Sequence, residues 1–80
     1  MPKGYIKTVH EKAYGFVRIE NTDYFFHKND FNGFWTDLVN DFYELEINEK
    51  IEVEFEIGNS PKGPCALNVR RLDWPNEGTG

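Results

Sequence analysis

Residues 50–57 read Lys-Ile-Glu-Val-Glu-Phe-Glu-Ile, a strict alternation of charge and apolar bulk. Successive side chains of a strand point to opposite faces. This spacing therefore sends Ile51, Val53, Phe55 and Ile57 into a core and leaves Glu52, Glu54 and Glu56 in water. A helix would scatter both sets around its axis. The same period governs residues 14–20, with Tyr14, Phe16 and Arg18 on one face and Gly15, Val17 and Ile19 on the other. Residues 24–28 set Tyr24 and Phe26 against Phe25 and His27. Residues 3–9 and 65–72 have strand compositions as well. Short polar or Gly/Pro-rich connections at 10–13, 21–23 and 58–64 separate most of these segments. Five strands in 80 residues predict a single all-β domain, a five-stranded antiparallel barrel whose first three strands form a meander.

Residues 29–49 do not alternate. Leu38, Phe42 and Leu45 recur at helical spacing, which predicts a short helix on part of an extended loop between strands 3 and 4. The domain is expected to span residues 1–73. Residues 74–80 are expected to form a flexible tail, with Trp74 its one residue able to dock.

Composition narrows the function. Cys65 is the lone cysteine, which excludes a disulfide scaffold and suits a reducing compartment. No apolar run approaches the roughly 20 residues of a membrane span. Met1-Pro2-Lys3-Gly4 has no apolar secretory h-region, so the expected location is the cytoplasm. Seven Phe, four Tyr and two Trp are nearly as numerous as Val, Ile and Leu together. A small barrel buries only part of that set, and rings left outside need a reason to be there.

Charge is uneven. Residues 1–28 carry Lys3, Lys7, Lys12, Arg18 and Lys28 against three acids, whereas residues 29–57 carry nine acids against Lys50 alone. The formal net charge of −5 argues against a strongly basic binder, yet one end of the chain can face an anion that the middle repels.

Val17, Ile19, Phe26, Ile6, Ile51, Val53, Phe55 and Val69 make a sufficient core without Tyr14, Phe16, Phe25 and His27. If strands 2 and 3 pair as a hairpin, those four rings form one outer patch. Three uses of such a patch stay open at this point: stacking of unpaired bases, with nearby Lys7, Lys12, Arg18, Lys28 and Lys62 meeting phosphates; burial beneath the long loop; or a protein partner.

Lys12-Ala13-Tyr14-Gly15-Phe16-Val17 resembles the K-G-F-G-F-[IV] segment of cold-shock domains. Tyr24-Phe25-Phe26-His27 resembles their V-F-V-H segment, and Lys62 to Val69 resembles their K-G-P-x-A-x-N-V ending. The three occur in order, and the similarity spans about residues 3–72. The resemblance implies an OB-type barrel that binds single-stranded RNA or DNA with little sequence preference, in a manner that keeps RNA unpaired. It makes Tyr14, Phe16, Phe25 and His27 stacking residues and Lys7, Lys12 and Lys62 backbone-facing cations, on the face that alternation selects independently.

Departures from the pattern matter for affinity. Family members carry W-F after the lysine of the first strand, where this chain has Thr8-Val9, so a stacking ring is absent. Lys28 replaces the Phe that follows His27 in bacterial members. The loop after His27 is longer than the usual bacterial form and contains Gly33-Phe34-Trp35, so Phe34 or Trp35 is a candidate to supply the ring lost at Thr8. The alternative is that Phe31, Phe34, Trp35, Leu38 and Phe42 form a satellite core.

Catalysis has little support: Ser60 sits in a turn, and the carboxylates are spread along an acidic stretch without a paired site. No metal-ligand spacing links His10, His27 and Cys65, and His10 reads as a solvated turn residue. The expectation is a non-enzymatic monomer without cofactor or metal. The competing function is a protein-interaction module that uses the acidic loop.

Overall fold

A computed structural model describes residues 1–72, so Trp74 and the expected tail lie outside the described residues. The elements follow in the order β1 (Lys3–His10), β2 (Tyr14–Ile19), β3 (Thr22–His27), a 3-10 turn (Lys28–Asp30), α1 (Trp35–Tyr43), β4 (Glu52–Ser60) and β5 (Gly63–Arg71). The strands close into a barrel in the order β1-β2-β3-β5-β4.

The barrel is not purely antiparallel as expected. β3 and β5 run parallel where Phe25 meets Cys65, and Phe31 bridges Val69 in the same sense. Parity requires it. Directions cannot alternate all the way round a closed ring with an odd number of strands, so at least one neighbouring pair must agree. Here the odd pair falls between β3 and β5, which are separated in sequence by α1 and β4.

Alternation sorts β2 and β3 as expected. Val17 and Phe26 are fully buried, while Tyr14, Phe16, Phe25 and His27 are half-buried on the outside. The hairpin between them is tighter than expected. Ile19 pairs with Thr22, which leaves only Glu20 and Asn21 in the turn, with Glu20 at φ 54°. At Gly15 a β-carbon would come within 2.9 Å of the Phe26 ring and 2.8 Å of the Thr8 carbonyl oxygen. Glycine is thus what lets Phe26 rise beneath β2.

Two irregularities shift the sequence pattern. β1 slips between Ile6, opposite Val17, and Thr8, opposite Phe16. The extra residue brings both Ile6 and Val9 into the core, three positions apart, and turns Thr8 and His10 outward. On β5 the partner register moves from Arg70 to Leu67 while β4 moves from Glu54 to Glu56, and Asn68 takes φ 52°. Asn tolerates that left-handed conformation better than most side chains.

Two expectations for β4 need correction. Glu54 is buried rather than wet, and Arg70, its cross-strand partner, neutralises it. Ile57 is 49% exposed rather than inside. β1 pairs with β4 only through Glu52–Glu54, so the outer part of the β4–β5 hairpin runs beyond that strand's cover.

The long segment completes the core instead of forming a separate one. α1 presents Trp35, Leu38, Val39 and Phe42, at helical spacing, to the barrel, and Phe31, Leu38 and Val39 belong to the same buried cluster as Ile6, Phe26, Val53 and Phe55. Arg71 of β5 pairs with Asp41 of α1 at 2.7 Å and fixes the helix to the sheet. None of the described helices is long and apolar enough to cross a membrane.

Candidate nucleic-acid interface

Strand pairing lays the outer side chains of β1–β3 in rows. The first row is His10, Tyr14, His27 and the second is Thr8, Phe16, Phe25. The third is Tyr5, Arg18, Asp23. Because the rows come from pairing, the positions of the rings are set by the sheet and not by a loop.

Within the first two rows the rings touch. Tyr14 lies 5.7 Å from Phe25 and 6.3 Å edge-on from Phe16, and Phe16 lies 5.8 Å edge-on from Phe25. These contacts tilt the rings against one another, which gives the patch several π-faces at different angles. Thr8 stands beside Phe16 in the row, so the ring missing from the sequence pattern leaves a small side chain at the edge of the patch.

His27 ends β3, and its Nδ1 accepts the backbone N–H of Asn29 at 3.1 Å. With Nδ1 accepting, Nε2 is left as the donor, so the ring offers a donor as well as a π-face.

The third row is electrostatic. Asp23 takes Arg18 Nε at 2.7 Å and Lys7 Nζ at 3.1 Å. Its hydrogen bond from Arg18, then that from Lys7, holds the Asp23 carboxyl below its usual range, and Asp23 raises Arg18 in return. Lys7, expected to face a ligand backbone, is therefore already paired. Lys12 in the β1–β2 turn, Lys28 after β3 and Lys62 in the β4–β5 turn are exposed and have no ion-pair partner among the described residues. Lys28 is drawn to the ring-bearing end, since its N–H donates to the Ala13 carbonyl at 2.7 Å.

The structure separates the two rings offered as replacements at Thr8. Trp35 packs edge-on against Phe26 at 5.8 Å and Phe31 at 6.2 Å, and its Nε1–H donates to the Glu11 carbonyl at 3.1 Å. It is partly buried, packs against the core and props the β1–β2 turn. Phe34 is 79% exposed and outside the core, whereas Phe31 and Leu38 belong to the barrel's own core and Trp35 and Phe42 pack against it, so the expected satellite core does not form as a separate cluster.

Sequence reasoning missed two outer rings. His10 belongs to β1 and stacks on Tyr14, although the polar composition of residues 10–13 reads as a turn. Ile6 and Val9, apolar and three apart within a strand, were the available signal of the slip that turns it outward. Tyr5 is the second, with Lys50 Nζ 5.1 Å from its ring centroid.

Comparison with known proteins agrees with this geometry. The chain is 44% identical over 75 residues to the probable cold shock protein A of Mycobacterium tuberculosis, covering 90% of this chain and 100% of that protein. It is 41% identical to the probable cold shock protein A of Mycolicibacterium smegmatis, again over 90% and 100% of the two chains. The major cold shock protein of Micrococcus luteus is 41% identical, over 78% of this chain and 84% of its own. The family model described as the 'Cold-shock' DNA-binding domain matches residues 2–72, nearly the whole barrel with α1 included. With its motifs, its barrel and these relatives in agreement, the chain belongs to the cold-shock domain family, whose members bind nucleic acid.

Proposed function

We propose that this chain binds single-stranded RNA or DNA, with low sequence specificity, by stacking unpaired bases on Tyr14, Phe16, Phe25 and His27. The observation that carries the reading is the contact among Tyr14, Phe16 and Phe25 on one outer face, while Trp35 of the long segment packs on the other side of the sheet, against Phe26. A π-face accepts any base, which explains low specificity, and each stacked base contributes about 1–3 kcal/mol. Lys12, Lys28 and Lys62 meet phosphates, Lys7 contributes less because Asp23 already holds it, and Phe34 adds a peripheral ring. Bases held on the rings are withheld from pairing, so the chain acts as an RNA chaperone, as a monomer in the cytoplasm.

The second reading, a protein-interaction module on the acidic segment, draws on Tyr43 and Ile47, which are 63% and 95% exposed there. Fluorescence anisotropy with a labelled pyrimidine-rich oligonucleotide separates the two. The first reading expects binding of the single strand but not of its duplex, with a log–log salt slope of about −2 for three neutralised phosphates. No binding at low salt contradicts it and favours the second.

A further inference from the structure

His10 closes β1, and its imidazole lies over Tyr14 with ring centroids 4.8 Å apart and planes 10° from parallel. The three contacts among Tyr14, Phe16 and Phe25 are tilted or edge-on instead. A parallel pair has a distinct consequence: the upper ring covers one face of the lower ring and offers its own outer face in nearly the same orientation. The π-surface of Tyr14 is thereby carried outward onto an exposed residue.

The backbone beneath His10 is held from three directions. Its carbonyl accepts the N–H of Ala13 at 3.1 Å. The next residue, Glu11, gives its carbonyl to Trp35 Nε1, and Lys28 N–H closes on Ala13 from β3. Lys12 in the same turn and Lys28, bonded to that turn through its backbone, are exposed cations with no ion-pair partner among the described residues. An exposed ring on a held backbone, with one lysine in the same turn and another whose backbone bonds to that turn, suits a nucleotide unit, a flat base joined to phosphates.

We infer that His10 is a base-stacking residue, with an unpaired base lying on the outer face of its imidazole as a continuation of the Tyr14 column. This rests on the proposed binding of single strands and adds a contact residue to it. It also places a ring two residues from Thr8, on the same face of the same strand, so β1 itself supplies a stacking surface.

The test uses the full chain and the labelled pyrimidine-rich single strand. His10→Ala is expected to weaken binding about five- to tenfold, the lower part of the range for one base on one ring, and His10→Phe to restore it with an unchanged salt slope. In the unmodified chain, ring protons of His10 are expected to move upfield when the oligonucleotide is added, a readout independent of any loss of stability in the variants. If Phe25→Ala weakens binding while His10→Ala leaves it unchanged or tightens it, His10 is a bystander or a cap, and the inference fails while the platform stands. If neither variant alters binding, or the unmodified chain does not bind, the platform fails and takes the inference with it.

Discussion

The outer face of β1–β3 and the segment from Phe31 to Leu45 are both rich in aromatic residues, but the segment turns Phe31, Trp35 and Phe42 to the core and leaves Phe34 and Tyr43 apart at the surface. On the sheet, Tyr14, Phe16 and Phe25 lean on one another at the surface, with alternation keeping them out of a core that Val17 and Phe26 already fill. In the segment, Trp35 packs against Phe26 and Phe31, and Leu38 is fully buried. Electrostatics follows the same division. Lys12 and Lys28 border the first region, while Asp37, Asp41, Glu44, Glu46 and Glu49 line the second. Aromatic content alone therefore does not mark a binding surface. Contiguous rings that the core does not need, beside unpaired cations, do so better.

The sharpest way to break this division is to cut one apolar residue from each region. Leu38→Ala is expected to lower stability by about 2–5 kcal/mol, since it opens a cavity in a closed core, and to leave the affinity of the folded fraction unchanged. Phe25→Ala is expected to reverse the pattern, with a smaller loss of stability and about 1–3 kcal/mol less binding. Chemical denaturation and anisotropy titration of both variants check this. Should Leu38→Ala weaken binding as much as Phe25→Ala does, the two regions are not functionally distinct.

Thr8 gives the next effect. Because it stands beside Phe16 in the row, Thr8→Trp is expected to tighten single-strand binding about fivefold or more, as one further stacked base requires. Unchanged affinity in the same titration would mean that the ligand does not pass over β1.

A smaller effect distinguishes free cations from paired ones. Lys28→Gln is expected to make the log–log salt slope shallower by about 0.7, the contribution of one phosphate on a single strand. Lys7→Gln is expected to change it less, because Asp23 already faces Lys7 at 3.1 Å.

The smallest concerns pH. Asp23 is held below its usual range mainly by Arg18 and then by Lys7. A depressed carboxyl contributes stability that is present above its unfolded pKa and is lost as pH falls through the folded value. The triad is therefore expected to survive below the ordinary aspartate range near about 3.9. Carboxyl-carbon NMR of Asp23 should show a low titration midpoint that rises in Arg18→Gln.

Much of this was legible in the residues, for reasons that also explain the gaps. Tyr14 to Ile19 and Tyr24 to His27 alternate because their hairpin is regular, so the sequence period and the pairing register coincide. Where a strand slips, period two misleads. His10 reads as a turn residue because residues 10–13 are polar, and the slip between Ile6 and Thr8 hides which face it takes; Ile57 reads as inward because nothing local reports where cover by β1 ends. Glu54 looked wet since its neutralising Arg70 lies on another strand. Trp35 was ambiguous because an aromatic residue in a loop has no period to place it. The contacts with Phe26, Phe31 and the Glu11 carbonyl show where it packs.

The account depends on unpaired bases lying on the outer rows of β1–β3. Backbone and ring chemical-shift mapping with a short single-stranded pyrimidine oligonucleotide tests this most directly. The predicted result is a set of perturbations centred on Thr8, His10, Tyr14, Phe16, Phe25 and His27, with Leu38 through Glu49 unmoved. Perturbations confined to α1 and the acidic stretch after it would contradict the account.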